Sequence, residues 1–171
     1  MSIIKQIQVG DLNIKLEFKK FAKQANAAVM ITCDDTQILV TVCAADEPIK
    51  GQDFFPLTVD YFEKFYAAGK IPGGFFKREA KPSDRETLMA RVIDRSLRPC
   101  FPKEYLCETF ITVTVVSYDS RHHPAPLAIL GASCALMISD IPFNGPVGAL
   151  YIGADENTNF IIDPGELNLT K

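Results

Sequence analysis

The sequence predicts an α+β layer fold, a mixed sheet with helices packed on it. Two features carry that prediction. Alternating or β-branched runs fill most of the first 62 residues and recur at 109–116, and two helical patterns of different character occupy 84–97 and 127–138. At 171 residues the chain fits one domain and can bury roughly 70% of the surface its unfolded form would expose.

Ile3 to Val9 and Leu12 to Phe18 alternate in strand fashion, with Gly10-Asp11 between them as a tight turn. Ala27 to Thr32 and Gln37 to Ala44 are rich in Val, Ile and Thr, and Asp34-Asp35-Thr36 separates them as a second hairpin turn. Leu57 to Phe62 alternates again. From Phe65 to Pro82 the periodicity disappears while Gly69, Pro72, Gly73, Gly74 and Pro82 accumulate, which predicts a long irregular segment of the kind that carries function.

Ser83-x-x-Glu86 matches a capping box, in which hydroxyl and carboxylate each satisfy a backbone N–H at a helix start. A helix over 84–97 follows, with Leu88, Met89, Val92, Ile93 and Leu97 on one face and Arg91, Arg95 and Arg98 on the other. Pro99 and Pro102 stop it. Thr109 to Val116 reads as a strand buried on both faces. Leu127 to Ile138 is apolar almost throughout, with Gly131 and several alanines permitting close approach, and reads as a buried helix with Pro126 in its first turn. Val147 to Ile152 and Asn159 to Ile162 read as a last hairpin turning near 155–157.

Composition excludes several classes. A hydrophobic fraction of 47%, 23% charged residues and mean hydropathy of +0.08 describe a globular protein, neither disordered nor membrane-spanning. The N-terminus has no secretory pattern. Five cysteines without a CxxC pair read as reduced small hydrophobes of a cytoplasmic protein. Net charge of −3 argues against a basic coat for nucleic acid. Yet nine of the 18 Lys and Arg residues fall between Lys70 and Lys103, so a local basic patch remains.

Phe75-Phe76-Lys77-Arg78 combines adjacent aromatics and cations behind Gly73-Gly74, a combination that can stack on bases and neutralise phosphates together. Its bland alternative is a loop whose phenylalanines fill the core. For Arg91, Arg95 and Arg98 the alternative is a solvated helix face with Asp84 and Asp94 as ion-pair partners. His122-His123 reads as a pair of exposed loop histidines, and with no third His a three-His zinc site is excluded. Ser120 and Ser133 lack a base and a nucleophile elbow, and the acidic residues sit at turns without paired-carboxylate spacing. No catalytic or metal-ligating residue is assigned.

Gly51-Gln52-Asp53-Phe54-Phe55-Pro56-Leu57-Thr58-Val59, Tyr66-Ala67-Ala68-Gly69-Lys70-Ile71-Pro72-Gly73, Phe75-Phe76-Lys77-Arg78-Glu79 and Ile93-Asp94-Arg95-x-x-Arg98-Pro99-x-Phe101-Pro102 resemble the first RNase PH-type domain of the bacterial polynucleotide phosphorylase family. Gly131-Ala132-Ser133 and Ile141-Pro142-Phe143-Asn144-Gly145-Pro146 extend the resemblance over nearly the whole chain. It implies an RNase PH-like two-layer β/α fold, of ribosomal S5 domain 2-like type. Residues 1–171 would be that first domain, cut short at its C-terminus, with 144–171 beginning its second half.

The implied activity is phosphorolytic 3′ to 5′ exoribonuclease action in mRNA degradation, with inorganic phosphate as co-substrate and Mg²⁺ as cofactor of the full enzyme. The implied partners are single-stranded RNA, two further copies in a homotrimeric ring, and other RNA-degradation proteins of a degradosome, all in the cytoplasm. On this resemblance Phe75, Phe76, Lys77 and Arg78 constrict an RNA channel, and Arg91, Arg95 and Arg98 line the phosphate and RNA path. The family's Gly-Ser-Ser motif and Asp/Lys metal cluster belong to its second RNase PH-type domain, so the 171 residues alone are expected to be inactive. Ser120-Arg121-His122-His123-Pro124-Ala125-Pro126 stands where the family's first domain usually has Asn-Pro-Asp. A noncatalytic ring scaffold and a stand-alone RNase PH acting on tRNA are the rival readings.

Overall fold

A computed structural model of the protein describes residues 2–74, 78–79, 81–154 and 160–164. Strands β1 (Ile3–Val9), β2 (Leu12–Phe18), β3 (Ala27–Cys33), β4 (Thr36–Ala44), β5 (Leu57–Glu63) and β6 (Thr109–Ser117) form one sheet in the order β1-β2-β3-β4-β6-β5. All neighbours are antiparallel except β5 and β6, which run parallel. Parallel neighbours need a crossover, and helix α1 (Asp84–Leu97) lies within it. Helix α2 (Pro124–Ile138) follows β6.

The hairpin turns follow the sequence closely. Gly10 takes a left-handed φ of 59° between β1 and β2, and Asp34 takes φ 48° between β3 and β4. Thr36, expected in that second turn, is instead the first residue of β4 and fully buried.

Both helices pack on the same sheet face. Val29, Ile31, Val40, Ile111 and Val113 meet Ile93, Leu97, Ala128 and Ala132 in one core, every one of them at 0% exposure. The strand β6 is accordingly buried on one face, not two. Thr109, Ile111, Val113 and Val115 point into the core, whereas Phe110 remains 42% exposed on the opposite face. The β-branched run at 109–116 therefore reflects strand propensity, with burial supplied from one side.

Helix α2 begins at Pro124, three residues before the predicted start, because Pro suits the first helical turn and His123 accepts the Ala125 N–H as N-cap. On α1 the capping box forms as predicted, with Glu86 N–H to Ser83 Oγ at 3.2 Å and Ser83 N–H to Glu86 Oε2 at 2.6 Å. Its apolar face is narrower than predicted: Ile93 and Leu97 are buried, but Leu88 and Val92 are 56% and 45% exposed. The helix sits over the edge strand β5, and the sheet ends before it can cover those two side chains.

The last hairpin is also shorter than predicted, β7 (Ile152–Ala154) against β8 (Phe160–Ile162). The stretch 147–151 is not strand. Its Val147 N–H instead bonds the buried Ser133 Oγ at 2.8 Å, tying the segment to α2. The expected turn at 155–157 and residues 165–171 lie outside the described residues. Among the described residues, no helix is long and apolar enough to cross a membrane.

Candidate functional site

The basic segment emerges from the free edge of the sheet. Beyond β5, a single 3-10 turn covers Phe65–Ala68 in the stretch predicted to be irregular, and Gly69 closes it with φ 65°. An edge strand leaves backbone N–H groups without ladder partners, and here two carboxylates take them. Glu86 Oε1 accepts the Glu63 N–H at 2.8 Å, and Glu79 Oε1 accepts the Phe65 N–H at 2.7 Å. Glu79 also pairs with Lys64 at 3.2 Å. The Phe65 N–H bond, aided by Lys64, holds Glu79 below the usual carboxylate range.

These bonds fasten residue 79, and through the capping box the start of α1, to the sheet edge. The sequence marks the motif at 75–79 by its aromatics and cations but does not reveal the anchoring role of its Glu79. The sequence signal available was only a Glu beside an Arg. Phe75, Phe76 and Lys77 lie outside the described residues, and Arg78 is exposed.

A cavity of about 480 Å³ opens between the end of β5, the 3-10 turn, residues 78, 79 and 81–83, and the start of α1. Phe62, Phe65 and Tyr118 are among its apolar lining, and Lys70, Arg78 and Lys81 among its cations. Two further cations of the lining are paired: Lys64 with Glu79, and Arg85 with Glu63 at 3.4 Å.

The three helix arginines divide. Arg91 and Arg95 are exposed along α1, and neither has an ion-pair or hydrogen-bond partner among the described residues. Arg98 points back to the protein. Its guanidinium bonds both Asp94 oxygens, at 2.6 and 3.1 Å, and donates at 3.1 Å to each of the Phe55 and Leu57 carbonyls. It also lies 5.7 Å from the centre of the Phe55 ring.

His122 and His123 are not an exposed pair. The His122 side chain is 13% exposed, with Nδ1 at 2.7 Å from Asp163 Oδ2 and Nε2 at 3.1 Å from Asp34 Oδ2. Burial opposes its charge, but the bonds to Asp163 and Asp34 outweigh it and raise the imidazole above its ordinary range. His123 stacks on Tyr151, with ring centres 4.8 Å apart and planes 4° from parallel. These contacts join the β3–β4 turn, the entry to α2 and the segment after β8. Spacing could not show it, since 88 and 41 residues separate His122 from its two partners.

Asp34, Asp119 and His122 place potential ligand atoms within 4.8 Å of one another. They do not fit Mg²⁺. Asp119 Oδ1 already accepts from Thr36 Oγ and the Arg121 N–H, each at 2.8 Å, both His122 nitrogens are engaged, and Mg²⁺ prefers oxygen ligands in octahedral geometry. Ser133, the other hydroxyl weighed from sequence, is committed to Val147.

Residues 12–142 match the 3′ exoribonuclease family, domain 1, under the family name RNase_PH. The chain is 56% identical over 148 residues to a polyribonucleotide nucleotidyltransferase of Trichlorobacter lovleyi, a match covering 86% of this chain and 21% of that protein. Proteins of the same name in Geotalea daltonii and Geotalea uraniireducens are 52% and 53% identical, over 94% and 93% of the chain and 23% of each relative. The chain thus spans about a fifth of the length of these curated relatives. A crystal structure of rice (Oryza sativa) Rrp46 shares the fold, with a TM-score of 0.67 at 16% identity over all of this chain and 71% of that one. The mixed sheet with both helices on one face is therefore an RNase PH-like fold, and the chain belongs to the 3′ exoribonuclease family as its domain 1.

Proposed function

We propose that this chain is the N-terminal portion of a polyribonucleotide nucleotidyltransferase that degrades mRNA from its 3′ end by phosphorolysis. A phosphate oxygen bonds to the phosphorus of the last nucleotide, the bond from that phosphorus to the preceding 3′ oxygen breaks, and a nucleoside diphosphate leaves. The observation that carries the reading is the family match over residues 12–142, joined to relatives above 50% identity that bear this name.

The role proposed for this portion is to hold single-stranded RNA and build the ring. Arg78, with Phe75, Phe76 and Lys77, grips the strand, and Arg91 and Arg95 meet its phosphates from an exposed helix face. Arg98, engaged with Asp94 and two carbonyls, supports that face by fixing the end of α1 to β5. Mg²⁺, trimer formation, degradosome partners and cytoplasmic location belong to the whole enzyme in this proposal, with Mg²⁺ held outside these 171 residues.

Titration of single-stranded RNA at several salt concentrations tests the RNA-holding role. In the intact protein, Arg91→Ala with Arg95→Ala should weaken binding and flatten the log-affinity against log-salt slope by about 1.4 units, roughly 0.7 per lost phosphate contact on a single strand. An unchanged slope would favour a noncatalytic scaffold. The isolated chain should release no nucleoside diphosphate from RNA and phosphate, and phosphate-dependent release would overturn the assignment of the chemistry to another part of the enzyme.

A further inference from the structure

We propose that the cavity between the end of β5 and the start of α1 binds a single nucleotide, with its base against the aromatic lining and its phosphates on Lys70, Arg78 and Lys81. This rests on the RNA-processing reading and adds a discrete pocket to it, apart from the arginine row on α1.

Volume is the first argument. About 480 Å³ lies within the roughly 300–1,000 Å³ of small-molecule sites, large enough for a base, a ribose and phosphate. Charge is the second. The three carboxylates lining the cavity are all engaged: Glu63 by the Tyr61 hydroxyl and Arg85, Glu79 by the Phe65 N–H and Lys64, and Glu86 by the Glu63 and Ser83 N–H groups. Glu86 keeps its charge, since backbone N–H groups do not neutralise it, but Lys70, Arg78 and Lys81 have no carboxylate partner among the described residues, so five lining cations against three carboxylates leave the cavity positive.

Shape and polarity supply the third. Phe65 is 45% exposed beside those cations, and the half-buried Phe62 and Tyr118 extend the apolar wall. An inorganic anion would leave that wall in water, and an apolar ligand would face three cations. A nucleotide answers both, because a base stacks on aromatic faces while phosphate takes charge-assisted hydrogen bonds from Lys and Arg. The same chemistry serves a free nucleoside diphosphate or one nucleotide of an RNA strand.

The test uses the 171-residue chain, titrated with ADP, with inorganic phosphate and with a labelled single-stranded decamer of adenylate. ADP should bind saturably at one site, about tenfold or more tighter than phosphate, since only ADP uses the aromatic wall. Lys70→Glu with Lys81→Glu should weaken ADP about tenfold or more, against a charge-matched control of Lys5→Glu with Lys50→Glu at exposed positions outside the cavity. Phe65→Ala should weaken ADP and leave phosphate unchanged.

If the pocket holds a strand nucleotide, the cavity variant also weakens the decamer and ADP competes with it. If it holds free diphosphate, the decamer is unaffected. Either supports the site. ADP binding no tighter than phosphate, or a cavity variant no weaker than its charge-matched control, overturns it. ADP binding by this chain together with an unchanged salt slope for Arg91→Ala with Arg95→Ala in the intact protein would leave the pocket standing and remove the RNA-holding role. RNA binding that depends on Arg91 and Arg95, with no specific ADP binding, would do the reverse.

Discussion

Helices α1 and α2 rest on the same sheet face with opposite consequences. The helix α2 lies over β3, β4 and β6, and ten of its fifteen residues are buried. The helix α1 lies over the edge strand β5 and buries only Ile93 and Leu97 completely. A helix over the middle of a sheet must be apolar and small where it approaches the strands. One over the edge needs a single apolar stripe, leaving the rest of its surface for charge. In this protein that freed surface carries Arg91 and Arg95, and the same edge carries the cavity.

The comparison breaks most sharply at Gly131. A Cβ there would sit 2.9 Å from Val40 Cγ2 and 3.5 Å from Ile31 Cγ2, both on fully buried side chains, so Gly131→Leu should cost about 3 kcal/mol by overpacking. Leu88→Ala on the exposed face of α1 should change stability by only about 0.5 kcal/mol. Denaturant midpoints of the two variants measure the contrast, and equal losses would show that α1 is packed as tightly as α2.

Next comes Arg98. Replacing it with Ala removes its bond to the Leu57 carbonyl and one of two donors to the Phe55 carbonyl, which keeps the Leu57 N–H at 3.1 Å, and should cost about 1.5 kcal/mol in a urea titration, more than loss of Arg91 or Arg95. Ser83→Ala removes one half of the capping box and should cost about 1 kcal/mol, read from the same titration. A smaller loss for Ser83 would mean that Glu86, through its bond to the Glu63 N–H, holds the helix start by itself.

On the α2 side, pH provides a subtler contrast. His122 is raised in the fold, so its contribution is fully present below the unfolded value of about 6.5 and is lost as pH rises through the higher folded value. The wild type should therefore lose stability relative to His122→Gln as pH rises above about 6.5, measured as the difference in their denaturant midpoints. A flat difference would show that the imidazole is not charged between Asp163 and Asp34. The smallest effect is expected for Arg91→Ala with Arg95→Ala, about 0.5 kcal/mol or less in thermal unfolding, because neither side chain has a described partner.

Local signals in the sequence read well. Gly10 placed the first turn, Ser83 and Glu86 placed the start of α1, and the apolar run from Leu127 gave a buried helix, because each of these depends on neighbours within a few residues. The errors share one cause. Leu88 and Val92 belong to an apolar stripe by spacing, yet whether they are covered depends on where the sheet ends. Thr109 to Val116 reads as doubly buried, but both helices chose one side. His122 reads as an exposed loop residue until Asp34 and Asp163 arrive from distant parts of the chain.

For the candidate site, the basic segment was visible as charge density and as a motif, and its attachment was not. The sequence by itself determined the α+β class, most element positions, the cation-rich stretch from Lys70 to Lys103 and the family resemblance, because propensity, capping and motif spacing act along the chain. Only the tertiary structure decided which cations stay unpaired, which arginine turns back to the sheet, and that Glu79 and Glu86 close the edge of β5 beside a cavity. Those outcomes depend on distances between residues far apart in sequence, and the packing of the two helices on one sheet sets them.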